Sequence, residues 1–519
     1  MATIRSLLIH GSTLSLLTMV SRALGLLREM TKARLLGTTA LSDAFSVAFM
    51  IPNLFRRLFA EGSIAVAFIP TFKKRLIEDG EDEIRDFLSC VFTFLTFLVT
   101  VAVVVGVLLS PLIVSLFGLK EFDETVLLTR VMFPFLAFIS IAAFFQGVLN
   151  SVGVFTPSGA APILLNVAMI VCAYVLKDLT GNPARAMAVG VLVGGFLEAA
   201  TQLPFIIKKG FSFFFTGVRK AVKHPGTQTI LKLIGPTVIG MAAYQLNDLA
   251  STALAGNAGQ GVVSSLQYSL RLQELILGVF AVSIGTVLLP DFAEHAKTSN
   301  WDMFNARLQS AVNIIILVTV PITFFAVCQG ETLIRLLFQG NSFVEESVTL
   351  TKTAFTFHAP ALLFIALNRI LAPAFYAQSD TKSPTLAGVV SFAVNIALAA
   401  VMAGKFRGAG IAFALTIASA VNTIFLFCFL KKNPLIQIGG VLKPILYIAK
   451  LCLFSAIALI PVLLLNQKLL DLFDGYNRFI HRGFPFVIAA SVFFSIELAL
   501  LIVTKDAQTR KLISIVKFR

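Results

Sequence analysis

At 519 residues, with 57% hydrophobic and 13% charged residues and a mean hydropathy of +0.88, the chain carries more apolar surface than one soluble core can bury. That excludes a water-soluble globular protein and implies an integral membrane protein. The net charge of +15 would suit nucleic acid, but it is gathered in short loops beside apolar spans, where basic residues set topology, so nucleic acid is excluded as a partner.

Apolar windows long enough to cross roughly 30 Å of hydrocarbon recur fourteen times, at about 7–28, 41–71, 87–117, 125–150, 157–177, 185–208, 229–256, 262–290, 303–329, 349–377, 383–404, 409–431, 441–466 and 484–505. The first is expected to stay as a membrane helix, because it outruns a signal peptide and carries Arg22 and Arg28 where a cleavage site would lie. On it Ser21, Gly25 and Arg28 share a face, and Arg22 points elsewhere. His10 lies in the same span and is read as a hydrogen-bonded packing residue.

The second span holds Asp43 and the stretch "PNLFRRLFAEG" (52–62). Neighbours on a helix point about 100° apart, so Arg56 and Arg57 cannot face the same way. The span contributes the polar residues Asn53, Arg56, Arg57 and Glu61, and Arg56, fourteen residues before Pro70, is assigned to a polar cavity at mid-depth. Arg57 is assigned to a structural pair with Glu61, one turn on.

The seventh span carries Asp248, expected to cap a broken helix, to pair with Lys232 or Arg271, or to join Asn395 and Thr416 of the eleventh and twelfth spans in an oxygen site for Na⁺ or a proton. On the eighth, Ser264, Gln267, Arg271, Glu274 and Gly278 form a polar stripe at helical spacing, with Arg271 at mid-depth. In the tenth, His358 is read as a packing residue. Arg369 there matches Glu61 in depth with opposite charge, which suggests a gating pair or a permanent bridge. A buried arginine costs about 2.5–3.5 kcal/mol unless it faces water or a partner. Arg28, Arg56 and Arg271 without matching carboxylates therefore describe an anion site, since guanidinium binds phosphate bidentately.

Basic residues concentrate in "KKRLIEDGEDEIR" (73–85), "KKGFSFFFTGVRKAVK" (208–223), "KKNPLIQIGGVLK" (431–443) and the tail from Lys505, placing both termini in the cytoplasm. The five cysteines are scattered, suggesting neither a disulfide framework nor a metal site.

The halves match each other at an offset of about 220 residues: "AFIPTFKKR" (67–75) with "VLLPDFAEH" (287–295), "SLFGLKEFDET" (115–125) with "LLFQGNSFVEE" (336–346), and "VLNSVGVFTPS" (148–158) with "FYAQSDTKSPT" (375–385). Six helices per copy make parallel repeats, which divides the chain into 1–225, 226–435 and a two-helix remainder at 436–519. The expected architecture is an all-α polytopic protein of six plus six plus two helices. Transporters built this way hold substrate near the midplane and alternate access.

The segments "SRALGLLREM" (21–30), "DAFSVAFMIPNLFRRLFAEGSIAVAFIPTF" (43–72), "YSLRLQELILGVFAVSIGTVLLP" (268–290) and "LAPAFYAQSDTKSP" (371–384) resemble the signature segments of the MurJ (MviN) family of bacterial lipid II flippases, and the resemblance covers essentially the whole chain. It implies a fold of the multidrug/oligosaccharidyl-lipid/polysaccharide exporter superfamily. It further implies translocation of lipid II across the bacterial inner membrane for cell-wall synthesis, by a transporter and not an enzyme, with no cofactor beyond possible Na⁺ or H⁺ coupling or dependence on membrane potential. By position the family's essential arginines fall on Arg22, Arg28, Arg56 and Arg271, its conserved acids on Asp43 and Glu61, and its inner-gate basic residue on Arg369. The last two spans would flank a groove for the polyprenyl tail. The expected partners are lipid II, membrane lipids and the cell-wall synthesis machinery, with the chain active as a monomer. Two departures, Leu270 before the arginine and Ala399 after Asn395, stand where some members carry acids. The rivals are a drug or cation antiporter, which would need carboxylates in the cavity; a flippase for another polyprenyl-linked oligosaccharide; a membrane enzyme, for which "EDGEDE" (78–83) offers only a solvated acidic run; and a non-transporting scaffold.

Overall fold

The computed structural model describes residues 4–57, 67–436 and 442–510, with side chains described outside 4–13, 235–244, 279–287 and 442–443. Glu61 lies outside the described residues, and His10 is described by its backbone alone. The described chain is helical, with no strand among the described residues. In order the helices are α1 (Ile4–Leu36), α2 (Ala40–Arg56), α3 (Ile69–Glu78), α4 (Glu81–Ser115), α5 (Phe122–Met132), α6 (Phe135–Ser151), α7 (Thr156–Val175), α8 (Pro183–Ala200), α9 (Leu203–Lys208), α10 (Val218–Lys223), α11 (Pro225–Asn257), α12 (Val262–Lys297), α13 (Trp301–Leu337), α14 (Glu345–His358), α15 (Ala361–Tyr376), α16 (Lys382–Leu430), α17 (Leu442–Leu472) and α18 (Arg478–Val503).

Among the described residues eight helices are long and apolar enough to cross a membrane, and a ninth span forms if the bent pair α14–α15 is one. Helix also occupies the described parts of all fourteen segments anticipated from the sequence. The helices outside that apolar set include α1, α2, α11 and α12, which carry Arg22, Arg28, Asp43, Arg56, Asp248 and Arg271. α16 runs 49 residues but breaks at Arg407, whose φ of 48° and ψ of −131° are non-helical. Gly404 and Gly408 flank that turn, and the two arms match the separate spans 383–404 and 409–431.

The chain divides into two compact units, Met1–Ser264 with Gly340–Phe343, and Ser265–Gln339 with Val344–Arg519. In the first, α7 and α8 pack through "GVLVG" (190–194): a Cβ at Gly190 would stand 2.7 Å from the Met169 Cα, and one at Gly194 2.8 Å from the Leu165 Cα. Small residues let membrane helices approach to van der Waals contact where no hydrophobic force drives them together. The stretch 211–216, "FSFFFT", is extended and strapped to α4: the Phe214 and Thr216 amides donate to Ser89 Oγ and Thr93 Oγ1, each at 3.0 Å. Its alternate residues Phe211 and Phe213 enter a ring cluster with Phe72, Phe92 and Phe144, the period-two pattern of extended chain.

In the second unit α17 and α18 pack on α13, where Phe325 meets Phe486, Phe493 and Phe494. Arg335 at the end of α13 pairs with Glu331 and Glu345, and Lys352 reaches Glu331 at 2.7 Å. α5 gives way to α6 at Phe133–Pro134, as α14 does to α15 at Ala359–Pro360. In both, the residue before proline still donates one turn back, Phe133 to Thr129 and Ala359 to Phe355. Proline brings no amide to continue the ladder, so the helix is interrupted there, and between α14 and α15 it bends by 45°.

Candidate functional site

The basic residues singled out from the sequence fall in both units and are held by local chemistry in each. On α1 the Arg28 guanidinium donates to Asn166 Oδ1 on α7 at 3.1 Å and to Glu29 Oε1 at 2.6 Å, and lies 5.9 Å from the centre of the Phe49 ring. Asn166 is itself fixed by donating to the Pro162 carbonyl at 2.9 Å. Arg28 is thus directed into the protein and does not snorkel to an interface. Its charge is partly offset by Glu29, a residue that sequence reasoning passed over because sequence neighbours usually diverge around a helix. Arg22, one and a half turns earlier, is exposed.

On α2, Arg56 Nε donates to Asn53 Oδ1, three residues earlier on the same helix, at 2.7 Å. Arg57, Ala67 and Phe68 have π-helical backbone, a widened geometry that recurs at functional positions in helices. The expected Arg57–Glu61 and Glu61–Arg369 pairs involve a residue outside those described. Arg369 itself is exposed on α15.

Asp43 has a clear role. It is 2% exposed, and its Oδ2 accepts from the Gly261 amide at 2.6 Å while Oδ1 accepts from the Ser264 amide at 2.8 Å and the Ser264 hydroxyl at 2.7 Å. These donors are the orphan groups at the N-terminus of α12, so an acid from α2 caps another helix. Lys32, 4% exposed, donates to Ser46 Oγ at 2.6 Å. Nothing in the sequence marks it apart from the other basic residues of α1.

In the second unit Arg271 Nη1 donates to Glu274 Oε2 at 3.0 Å, with both side chains partly open to their surroundings. Of the anticipated stripe on α12, Ser264 is spent in the cap and Arg271 keeps a partly exposed guanidinium. Facing away from it, Ser269 Oγ and His358 Nδ1 are 2.7 Å apart and Gln273 donates to the His358 carbonyl at 2.7 Å, which makes His358 a buried, hydrogen-bonded packing residue as read from the sequence.

Asp248 is half-buried on α11. The suggested pairing with Lys232 is overturned: both lie on α11, sixteen residues apart, a rise of about 24 Å. Asn395 and Thr416 occupy the two arms of α16, joined where Ser391 Oγ donates to the Ala418 carbonyl at 2.7 Å, which sets them close to one level. Thr416 Oγ1 donates to the Phe357 carbonyl at 2.6 Å, leaving its oxygen lone pairs to accept or ligate.

Among the described residues Asp86, Cys90 and His224 also approach one another. Asp86 is already paired with the Lys220 ammonium, and His224 Nδ1 accepts from the Gly226 amide at 3.1 Å to cap α11, so these groups serve packing. The five cysteines are free thiols.

Residues 32–476 match the family model described as lipid II flippase MurJ. Over 520 aligned residues the chain is 44% identical to a protein of Treponema pallidum named probable lipid II flippase MurJ, covering 99% of each. The chain belongs to the MurJ family. A second MurJ relative, the lipid II flippase of Burkholderia cenocepacia, is 32% identical over 82% of this chain and 84% of its own. Among solved structures, a lipid II flippase MurJ in an inward closed conformation superposes with a TM-score of 0.77 at 24% identity, over 95% of this chain and 99% of that one. An inward-facing multidrug transporter of the MATE family superposes at 0.64 with 14% identity, over 82% of this chain and 96% of that one. The fold is thus shared with that multidrug transporter.

Proposed function

We infer that this MurJ-family protein is a lipid II flippase: a multi-pass transporter of the bacterial inner membrane that carries the lipid-linked peptidoglycan precursor from the inner to the outer leaflet. The observation that carries the reading is membership of the MurJ family along nearly the whole chain. The charge on these helices supports it. A passenger with a pyrophosphate head needs cations inside the membrane, and arginines stand on α1, α2 and α12 where a drug or cation antiporter would need unpaired carboxylates.

In this reading Arg22, Arg28, Arg56 and Arg271 hold the pyrophosphate, and Asn53 and Glu274 orient Arg56 and Arg271. Two six-helix lobes, 1–225 and 226–435, alternate access, with Glu61 and Arg369 closing the inner mouth. Helices in 436–519 guide the polyprenyl tail. Asp248, Asn395 and Thr416 supply a Na⁺ or proton site. Both termini are cytoplasmic, the protein acts as a monomer, and it meets the cell-wall synthesis machinery. A membrane potential negative inside favours expelling an anion by about 2.3 kcal/mol per charge per 100 mV.

The deciding experiment follows labelled lipid II across the bilayer of vesicles holding the purified protein. Arg56→Ala and Arg271→Ala are each expected to abolish flipping while leaving the protein inserted and folded. Flipping at the unsubstituted rate by either variant overturns the arginine site, and absence of flipping by the unsubstituted protein overturns the function.

A further inference from the structure

α17 and α18 enclose a carboxyl group that the flippase reading does not use. Glu497 lies on α18, six residues before its end at Val503, about 9 Å of helical rise into the span. It is 3% exposed, and neither of its oxygens has a hydrogen-bond partner among the described residues. The hydrogen-bonding group that faces it is the Ser455 hydroxyl of α17, itself fully buried and lacking a partner at bonding geometry among the described residues.

The ionisable groups near Glu497 can be taken helix by helix. From α17, Tyr447 and Cys452 lie within electrostatic reach, and neither is a cation. Lys450 is turned to Asp506, its Nζ 2.8 Å from Oδ2. α13, the other helix packed on α18, has no ionisable side chain between Arg307 and Cys328; one turn from Glu497 it presents Phe325 to Phe493 and Phe494. A carboxylate placed here would lose its hydration and gain, among the described residues, neither a cation nor a hydrogen-bond donor at bonding distance. That costs more than retaining a proton near neutral pH.

We propose that Glu497 is a proton-binding site within the α17–α18 pair, carried as the neutral acid in this conformation with its O–H facing Ser455. Binding takes one proton from water onto a carboxylate oxygen and cancels one negative charge; release returns both. Beyond Glu497, at the end of α18, the Tyr447 hydroxyl donates to Asp506 Oδ1 at 3.3 Å. Because hydration favours the carboxylate, any rearrangement that admits water between α17 and α18 releases the proton, so proton binding and the packing of this pair are linked. The site is independent of the arginines assigned to lipid II, and its failure would leave the flippase reading intact.

The test is infrared spectroscopy of the full-length protein in lipid, with isotope-labelled glutamate to mark glutamic acid carbonyls. At neutral pH the unsubstituted protein should show a label-sensitive carbonyl band of a protonated carboxyl, disappearing at alkaline pH. Glu497→Gln should lose that band. Ser455→Ala, which keeps every ionisable group, should shift its frequency by changing what the acid faces. A band unchanged in Glu497→Gln overturns the proposal, as does its absence from the unsubstituted protein. Should Glu497→Gln fail to fold, a band in Ser455→Ala at the unsubstituted frequency overturns it.

Discussion

The Asp43 carboxylate and Ser264 are joined twice, Oδ1 accepting both the amide at 2.8 Å and the hydroxyl at 2.7 Å of the same residue, with the Gly261 amide on the other oxygen. One buried acid thereby satisfies three donors at the start of α12. Leaving a buried donor unpaired costs about 1–3 kcal/mol. Asp43→Ala should therefore lower stability by about 3 kcal/mol or more. Asp43→Asn keeps an acceptor and should fall between, and Ser264→Ala should cost about 1 kcal/mol. Thermal unfolding in detergent reads the order; an Asp43→Ala protein that melts with the unsubstituted one would remove the cap from the account.

Arg28 shares its charge with Glu29 at 2.6 Å, so any anion arriving at this guanidinium competes with a resident carboxylate. Glu29→Gln should relieve the competition and tighten lipid II binding severalfold, a gain of about 1 kcal/mol, while Arg28→Ala should weaken it. Because Glu29 also restrains the arginine, tighter binding should slow release and reduce turnover. Equilibrium binding of labelled lipid II to the two variants checks the opposite signs, and weaker binding in both would mean that Glu29 acts by positioning alone.

Helix in the fourteen anticipated segments was legible because a bilayer demands long apolar runs whose backbone bonds close internally. The break in α16 was legible too, from "GKFRG" (404–408) between two runs. The interruptions at Phe133–Pro134 and Ala359–Pro360 were not, since an isolated proline inside an apolar run is compatible with a continuous membrane helix. Within the site, Arg56 with Asn53 could be read from an i,i+3 spacing. The Arg28–Glu29 pair could not, because a contact between adjacent residues depends on rotamers and not on periodicity. Lys32 and Glu497 escaped for a related reason: burial of an ionisable residue is a property of the neighbouring helices, to which its own sequence window carries no reference.

The α7–α8 contact turns on two missing side chains. At Gly190 a methyl would sit 2.7 Å from the Met169 Cα and 3.0 Å from the Ala168 carbonyl oxygen, backbone atoms that cannot rotate aside. Gly190→Ala should cost about 1–3 kcal/mol by overpacking. Gly388, with nothing within 4 Å of an added Cβ, sits in the helical arm of α16, so Gly388→Ala should be neutral or stabilise by up to about 1 kcal/mol. Melting temperatures of the two variants, measured side by side, test whether close approach and not glycine content holds these helices.

Asp506, just beyond α18, accepts from Lys450 at 2.8 Å, from the amides of Gln508 and Thr509 at 3.1 and 3.0 Å, and from the Thr509 hydroxyl at 3.1 Å. Burial works against its carboxylate, but these donors outweigh it and hold the group below its ordinary value. The unfolded chain therefore takes up the proton first as pH falls. The stabilisation is fully present above the ordinary aspartate value of about 4 and is lost as pH drops through the lower folded value. Asp506→Asn removes the titration, so the gap in thermal midpoint between the two proteins should be widest at neutral pH and narrow in acid. A gap that stays constant into acid would show that Lys450 and the Thr509 donors do not depend on this charge.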